Sequence, residues 1–133
     1  MSSGELGRVY NAGEVIFRQG EIGNCMFVVQ SGKAEVIGDR DGKEIRLAEL
    51  APGDFFGEMA LFQKIPRSAT VRAVTELRAL TVDKKILLKK IHEDPSLAFR
   101  IMQTMSRRIQ DLNTQLMSLQ TGALNARGRA IQE

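Results

Sequence analysis

The sequence predicts a mainly β domain, a barrel or sandwich of short strands, followed by a short helix and a long C-terminal helix. Three observations carry that prediction. Apolar runs rich in β-formers recur up to residue 82, separated by glycine-containing turns. Helical spacing replaces them at Asp83. From residue 96 to 120 there is neither glycine nor proline, so nothing interrupts a helix there.

The elements follow in order. Residues 15–17 form an apolar triplet between Gly13 and Gly20, and residues 25–30 form a second run closed by Ser31 and Gly32. Residues 34–37 continue the series, and Asp41-Gly42 is a hairpin signal. Beyond it, residues 44–50 alternate polar and apolar side chains, the pattern of a half-buried strand. Pro52-Gly53-Asp54 makes another turn, and residues 70–74 and 77–82 supply the last two strands. Asp83 is placed to cap a helix that carries Ile86, Leu87 and Ile91 on one side. Asp94-Pro95 then restarts the chain as cap and first helical residue, where proline costs least.

The helix that follows is expected to run to about Gln120, roughly 39 Å at 1.5 Å per residue. Its apolar positions are Ala98, Met102, Met105, Ile109, Leu112, Leu116 and Leu119, spaced 4, 3, 4, 3, 4 and 3. That is a sustained heptad seam. It exceeds what a small barrel needs for cover and predicts a homodimer joined through helix 95–120. The alternative is a helix packed along its own domain. From Thr121 to residue 133, Gly122, Gly128 and weak periodicity suggest a tail or a truncated linker. The expected organisation is a barrel over about 10–82, helices over about 83–120, and a tail over 121–133.

Composition removes several classes of function. The chain has 133 residues, 19 Lys+Arg against 16 Asp+Glu, a net charge of +3, and is 43% hydrophobic. One cysteine, Cys25, excludes an intrachain disulfide framework or a thiolate cluster, and one histidine, His92, excludes a multi-histidine metal site. No metal is expected. The start of the sequence lacks the basic-then-apolar pattern of a signal peptide, and no apolar run nears the ~20 residues of a membrane span. A reducing cytoplasm is compatible with this usage. Residues 84–108 hold seven basic against two acidic residues, which a solvated helix face accounts for without nucleic acid.

The chemistry gathers in residues 55–71. Gly57 allows a tight turn or close approach to a ligand. Glu58 follows it within an apolar stretch, where a bare carboxylate is costly unless bonded. Residues 59–62 suit one short helical turn whose first amides are free to meet an anion. Nine residues after Glu58 comes Arg67, a planar multi-donor group matched to a phosphate. An acid for a hydroxyl, with amides and an arginine for a phosphate, makes a sugar-phosphate site. Taken as two residues alone, Glu58 and Arg67 fit equally well as an ion pair bracing a hairpin.

The surrounding pattern separates these readings. Phe56-Gly57-Glu58-Met59-Ala60-Leu61 and Pro66-Arg67-Ser68-Ala69-Thr70-Val71 resemble, at matching spacing, the phosphate-binding cassette of cyclic-nucleotide-binding domains, the effector domains of catabolite activator protein-like regulators. The resemblance covers residues 10–120. It implies a jelly-roll-like β-barrel followed by two helices, and a regulatory module that signals through its C-terminal helix. It implies that Glu58 accepts a hydrogen bond from the ribose 2′-hydroxyl beside the Gly57 backbone. Arg67 is implied to pair with the cyclic phosphate, with the backbone around Met59, Ala60, Ser68 and Ala69 completing the cradle. In the family a threonine after the arginine favours cyclic GMP, so Ser68 at that position implies cyclic AMP. The resemblance puts Asn113 where a C-helix side chain meets the base, and a solvated helix position fits it equally well. Replacing Arg67 with leucine is expected to abolish binding and leave the fold intact.

The same resemblance frames what is missing. Cys25 and His92 offer no convincing haem ligand, and iron–sulfur relatives need more cysteines. The 13 residues after Gln120 are too few for a DNA-recognition module, so direct DNA binding by this chain is not expected. No nucleophile elbow, Walker loop or metal cluster points to an enzyme. The rival reading is a constitutive dimerisation scaffold of the same fold, its pocket empty or holding a non-nucleotide ligand.

Overall fold

A computed structural model describes residues 7–126, with side chains over residues 7–119. The chain divides into two compact units at Leu88/Lys89. The first holds eight strands and a short helix: β1 (Arg8–Tyr10), β2 (Val15–Phe17), β3 (Cys25–Ser31), β4 (Ala34–Arg40), β5 (Lys43–Leu50), β6 (Phe55–Phe56), α1 (Met59–Phe62), β7 (Thr70–Ala73) and β8 (Leu77–Asp83). Two antiparallel four-stranded sheets result, in the orders β1-β8-β3-β6 and β2-β7-β4-β5. Strands far apart in sequence are neighbours, as in a jelly roll. The fold is thus the expected barrel-like sandwich.

Its core is filled from both sheets. Phe27 and Val29 of β3, Leu77 and Ala79 of β8, and Val71 and Ala73 of β7 alternate inward, as the two-residue period of a strand requires. Phe27 and Phe56 stack with ring centroids 5.2 Å apart, and Phe17 lies against both at 5.8 and 5.9 Å. This aromatic group closes the core beneath residues 57–67.

Two strands lie outside the expected set. β1 has only three residues, too few for an apolar period to show, and β6 only two, within the segment read for its chemistry. The half-buried reading of residues 44–50 is corrected: every β5 residue except Leu50 is exposed, Leu47 by 60%. β5 is the edge of its sheet and pairs only with β4, so its period-two pattern has no layer to face among the described residues.

Two helices follow, α2 (Lys84–Glu93) and α3 (Ser96–Ala126). The expected caps hold. Asp83 Oδ1 accepts from the Ile86 amide at 2.8 Å, and Asp94 accepts from the Ser96 amide and hydroxyl. α3 runs six residues beyond the expected end, carrying Gly122 within it, because the helix tolerates one glycine at modest cost. Residues 127–133 of the expected tail lie outside the described residues. Along α3, Met102, Ile109, Leu112, Leu116 and Leu119 of the heptad seam are all exposed.

The Ser96 hydroxyl, and then the Arg100 guanidinium, hold the Asp94 carboxyl below its ordinary value of 3.8. The ionised cap therefore contributes fully above that value, and its contribution is lost as pH falls through the lowered one. A carboxyl-detected NMR titration should show Asp94 titrating below 3.8, and Ser96→Ala should move it back up.

Candidate functional site

Arg67 organises the site, and it does so from inside the protein. Its side chain is 8% exposed and is the one buried charged residue among the described residues. One Nη1 N–H donates to the Gly57 carbonyl and one Nη2 N–H to the Cys25 carbonyl, each at 2.9 Å. The guanidinium lies 4.1 Å from the centroid of the Phe17 ring, a cation–π contact in which the planar group stacks on the aromatic layer. Burying a charge without such partners would be prohibitive. Here carbonyl dipoles and a π face replace the lost water.

The backbone of Arg67 is held as firmly. Its N–H donates to Glu21 O at 2.7 Å, its carbonyl accepts from Gly20 N at 2.8 Å, and Ile22 and Pro66 form an isolated bridge. Gln19 N donates to Thr70 Oγ1 at 2.9 Å. The turn after β2 therefore runs beside residues 66–70 and locks the approach to β7.

Two glycines make room for the guanidinium. Gly57 has φ +75°, in the region glycine favours, and a Cβ there would stand 2.6 Å from Arg67 Nη1. At Gly23 a Cβ would stand 2.3 Å from Nη2 and 2.7 Å from Cζ. Neither Gly23 nor Phe17 was legible as a site residue. Each meets Arg67 only through tertiary folding across more than forty residues, and a lone glycine or strand phenylalanine carries no local signal.

The remaining expected residues fall as follows. Glu58 occupies the cap position of α1, is half-buried, and makes no side-chain capping bond. Met59 is exposed, Ala60 half-buried, Ser68 exposed and Ala69 buried. Free amides at the start of α1 are corrected in part. The Ala60 N–H donates to Gly57 O at 3.3 Å and the Leu61 N–H to Glu58 O at 3.0 Å. Gly57, Glu58, Met59, Ala60, Arg67, Ser68 and Ala69 belong to the first unit. Asn113 belongs to the second, on an exposed stretch of α3.

Comparison with known proteins identifies the family. The family profile of the cyclic nucleotide-binding domain matches residues 7–94. The chain belongs to that family. It is 33% identical over 109 residues to a CRP-like cAMP-activated global transcriptional regulator of Mycobacterium tuberculosis, covering 80% of this chain and 48% of the relative. It is 45% identical over 76 residues to the cAMP-dependent protein kinase regulatory subunit of Schizosaccharomyces pombe, covering 57% of this chain and 18% of that one. Among solved structures, the catabolite activator protein of Thermus thermophilus superposes with a TM-score of 0.78 at 33% identity, over 86% of this chain and 54% of that one. The chain thus spans about half the length of the transcriptional regulators it matches.

The expectation that Arg67→Leu spares the fold is revised by these contacts. Leucine would leave the Gly57 and Cys25 carbonyls without their donors, at on the order of 1–3 kcal/mol each. Calorimetric melting of Arg67→Leu should show the transition lowered by roughly 10 °C. Gly23→Ala, which displaces the guanidinium without deleting it, should lower melting less than Arg67→Leu does.

Proposed function

We propose that this chain is a cyclic-AMP-responsive regulatory module that changes state when the nucleotide meets residues 57–69. What supports the reading most is the state of Arg67. Two of the five N–H groups of its guanidinium are committed to carbonyls, and three remain for an anion. The group is already desolvated and oriented, so pairing with a cyclic phosphate costs little further ordering.

In this reading Arg67 pairs with the phosphate and the Ser68 amide and hydroxyl add donors. The Ala60 N–H, on a long 3.3 Å bond to Gly57 O, is shared with a phosphate oxygen. Glu58 accepts from the ribose 2′-hydroxyl, selecting ribose over deoxyribose because loss of that hydroxyl strands the carboxylate. Met59 and Ala69 line the sugar-phosphate, and Asn113 meets the adenine edge from α3. Ser68 in place of threonine, and relatives named for cAMP, favour cyclic AMP over cyclic GMP.

The exposed seam of α3 supports a homodimer through residues 95–120 in a soluble, cytoplasmic setting. No described helix is long and apolar enough to cross a membrane. Binding of the nucleotide biases one arrangement of the helices, by no more than its difference in affinity for the two states. The output belongs to an attached or partner domain, and direct DNA binding is not assigned to this chain.

Calorimetric titration of the nucleotide-free chain with cyclic AMP, then cyclic GMP, tests the reading. One site per chain, tighter for cyclic AMP, is expected. Tighter cyclic GMP overturns the base assignment, and no heat with either on a folded sample favours the constitutive scaffold. Glu58→Gln should weaken cyclic AMP about 10- to 100-fold, equivalent to ~1.5–3 kcal/mol, in the same calorimetric titration. Charged residues at both Leu112 and Leu116 should halve the mass in light scattering. An unchanged mass would remove the dimer from the account.

A further inference from the structure

A groove of about 830 Å³ lies between the loop at Ile22–Asn24, the end of α1 and the start of α2, all within the first unit. Its apolar floor joins buried Leu61 to two side chains that folding leaves in water, Ile22 (69% exposed) and Phe62 (62% exposed). Lys64, Lys84 and Lys85 stand along its walls. None of these three lysines has an ion-pair partner among the described residues. The acid in the lining, Asp83, already spends Oδ1 on the Ile86 amide.

We propose that this groove is a docking site for an acidic segment of a partner protein, seated by an apolar side chain on Ile22 and Phe62. The charge argument is direct. Three cations against the one carboxylate of Asp83, around exposed apolar surface, repel a basic partner and attract an acidic one, and such complementarity sets register and specificity. Apolar contact supplies the desolvated centre that charges alone do not. The form of the groove selects a segment over a small anion. Most of its lining is exposed, and its cations sit on long surface side chains instead of converging as buried donors.

The position gives docking a consequence. Gly23, in the groove wall, is the residue whose backbone abuts the Arg67 guanidinium. Leu61 and Phe62 belong to α1, which follows Gly57 and Glu58. A segment that fixes the loop at 22–24 fixes the neighbour of the anion-binding group. Docking and ligand binding near Arg67 are therefore linked, and each must change the affinity of the other by the same factor.

The test uses two short synthetic peptides, one alternating Glu and Leu, the other a helix-former with Leu every three or four residues among Glu, as anchors on a groove demand. Fluorescence anisotropy and amide NMR shifts of the full chain are followed at low and at physiological salt. Expected are shifts at Ile22, Asn24, Phe62, Lys64, Lys84 and Lys85, affinity that falls with salt, and at least about a tenfold loss in K64E/K84E/K85E. Ile22→Ser with Phe62→Ser should weaken binding as well. Melting and cyclic AMP affinity of the lysine variant, which touches no residue assigned to the nucleotide, should stay unchanged. Loss of cyclic AMP binding in the parent chain would fault the function proposed above and leave the peptide result standing by itself.

The docking proposal is overturned by no shift with either peptide at millimolar concentration, binding unaltered by the lysine variant, equal binding of a Lys-for-Glu peptide, or displacement of bound peptide by millimolar inorganic phosphate. Self-association that the lysine variant abolishes would reassign the groove to a second copy of this chain and overturn it equally.

Discussion

A single buried cation holds the functional end of this domain together. Arg67 joins four segments that the chain places far apart: the end of β2 through Phe17, the turn at 20–23, the start of β3 through Cys25, and the bend at Gly57. Carbonyl dipoles and a phenylalanine face stabilise its charge, and two glycines provide its space. The bend at Gly57 and the turn that locks the approach to β7 are both bonded to Arg67. The same group is the one best equipped to meet a phosphate. In the function proposed above, receptor and brace are one side chain, its guanidinium held in place by the Gly57 and Cys25 carbonyls.

This double role shapes how a ligand can act. A guanidinium fixed by Gly57 and Cys25 pays little ordering entropy on meeting an anion, and any shift it makes is felt along β3 and α1. Gly23, which abuts the guanidinium, also lines the groove at Ile22–Asn24. On the second compact unit the heptad seam of α3 likewise leaves Met102, Ile109, Leu112, Leu116 and Leu119 exposed. Charge and apolar exposure are thus the basis of both proposals above, the docking groove on the first unit and the dimer seam on the second.

Much of this was legible in the sequence, and the reasons are physical. Glycine punctuation and two-residue alternation located six of the eight strands, because turns and pleats are local properties. The helix starts were read from Asp83 and Asp94, whose side chains do cap them. Gly57, Glu58 and Arg67 stood out because they crowd into one short stretch. β1 and β6 escaped notice, being too short for a period to show. The exposure of β5 is a consequence of its place at a sheet edge, which residues 44–50 do not encode by themselves. Phe17 and Gly23 matter only after folding brings them to the guanidinium. Arg67 was legible as a donor suited to a phosphate, and for the same reason its burial was not legible.

The central claim, that a buried and carbonyl-bound Arg67 is also the phosphate receptor, can be tested on the side chain itself. Nitrogen-15 NMR of the Arg67 guanidinium should find its N–H groups slow to exchange with solvent in the ligand-free chain. They should shift on addition of cyclic AMP, with the midpoint measured by calorimetry. Rapid exchange without ligand would contradict the brace, and resonances unmoved at saturating cyclic AMP would contradict the receptor.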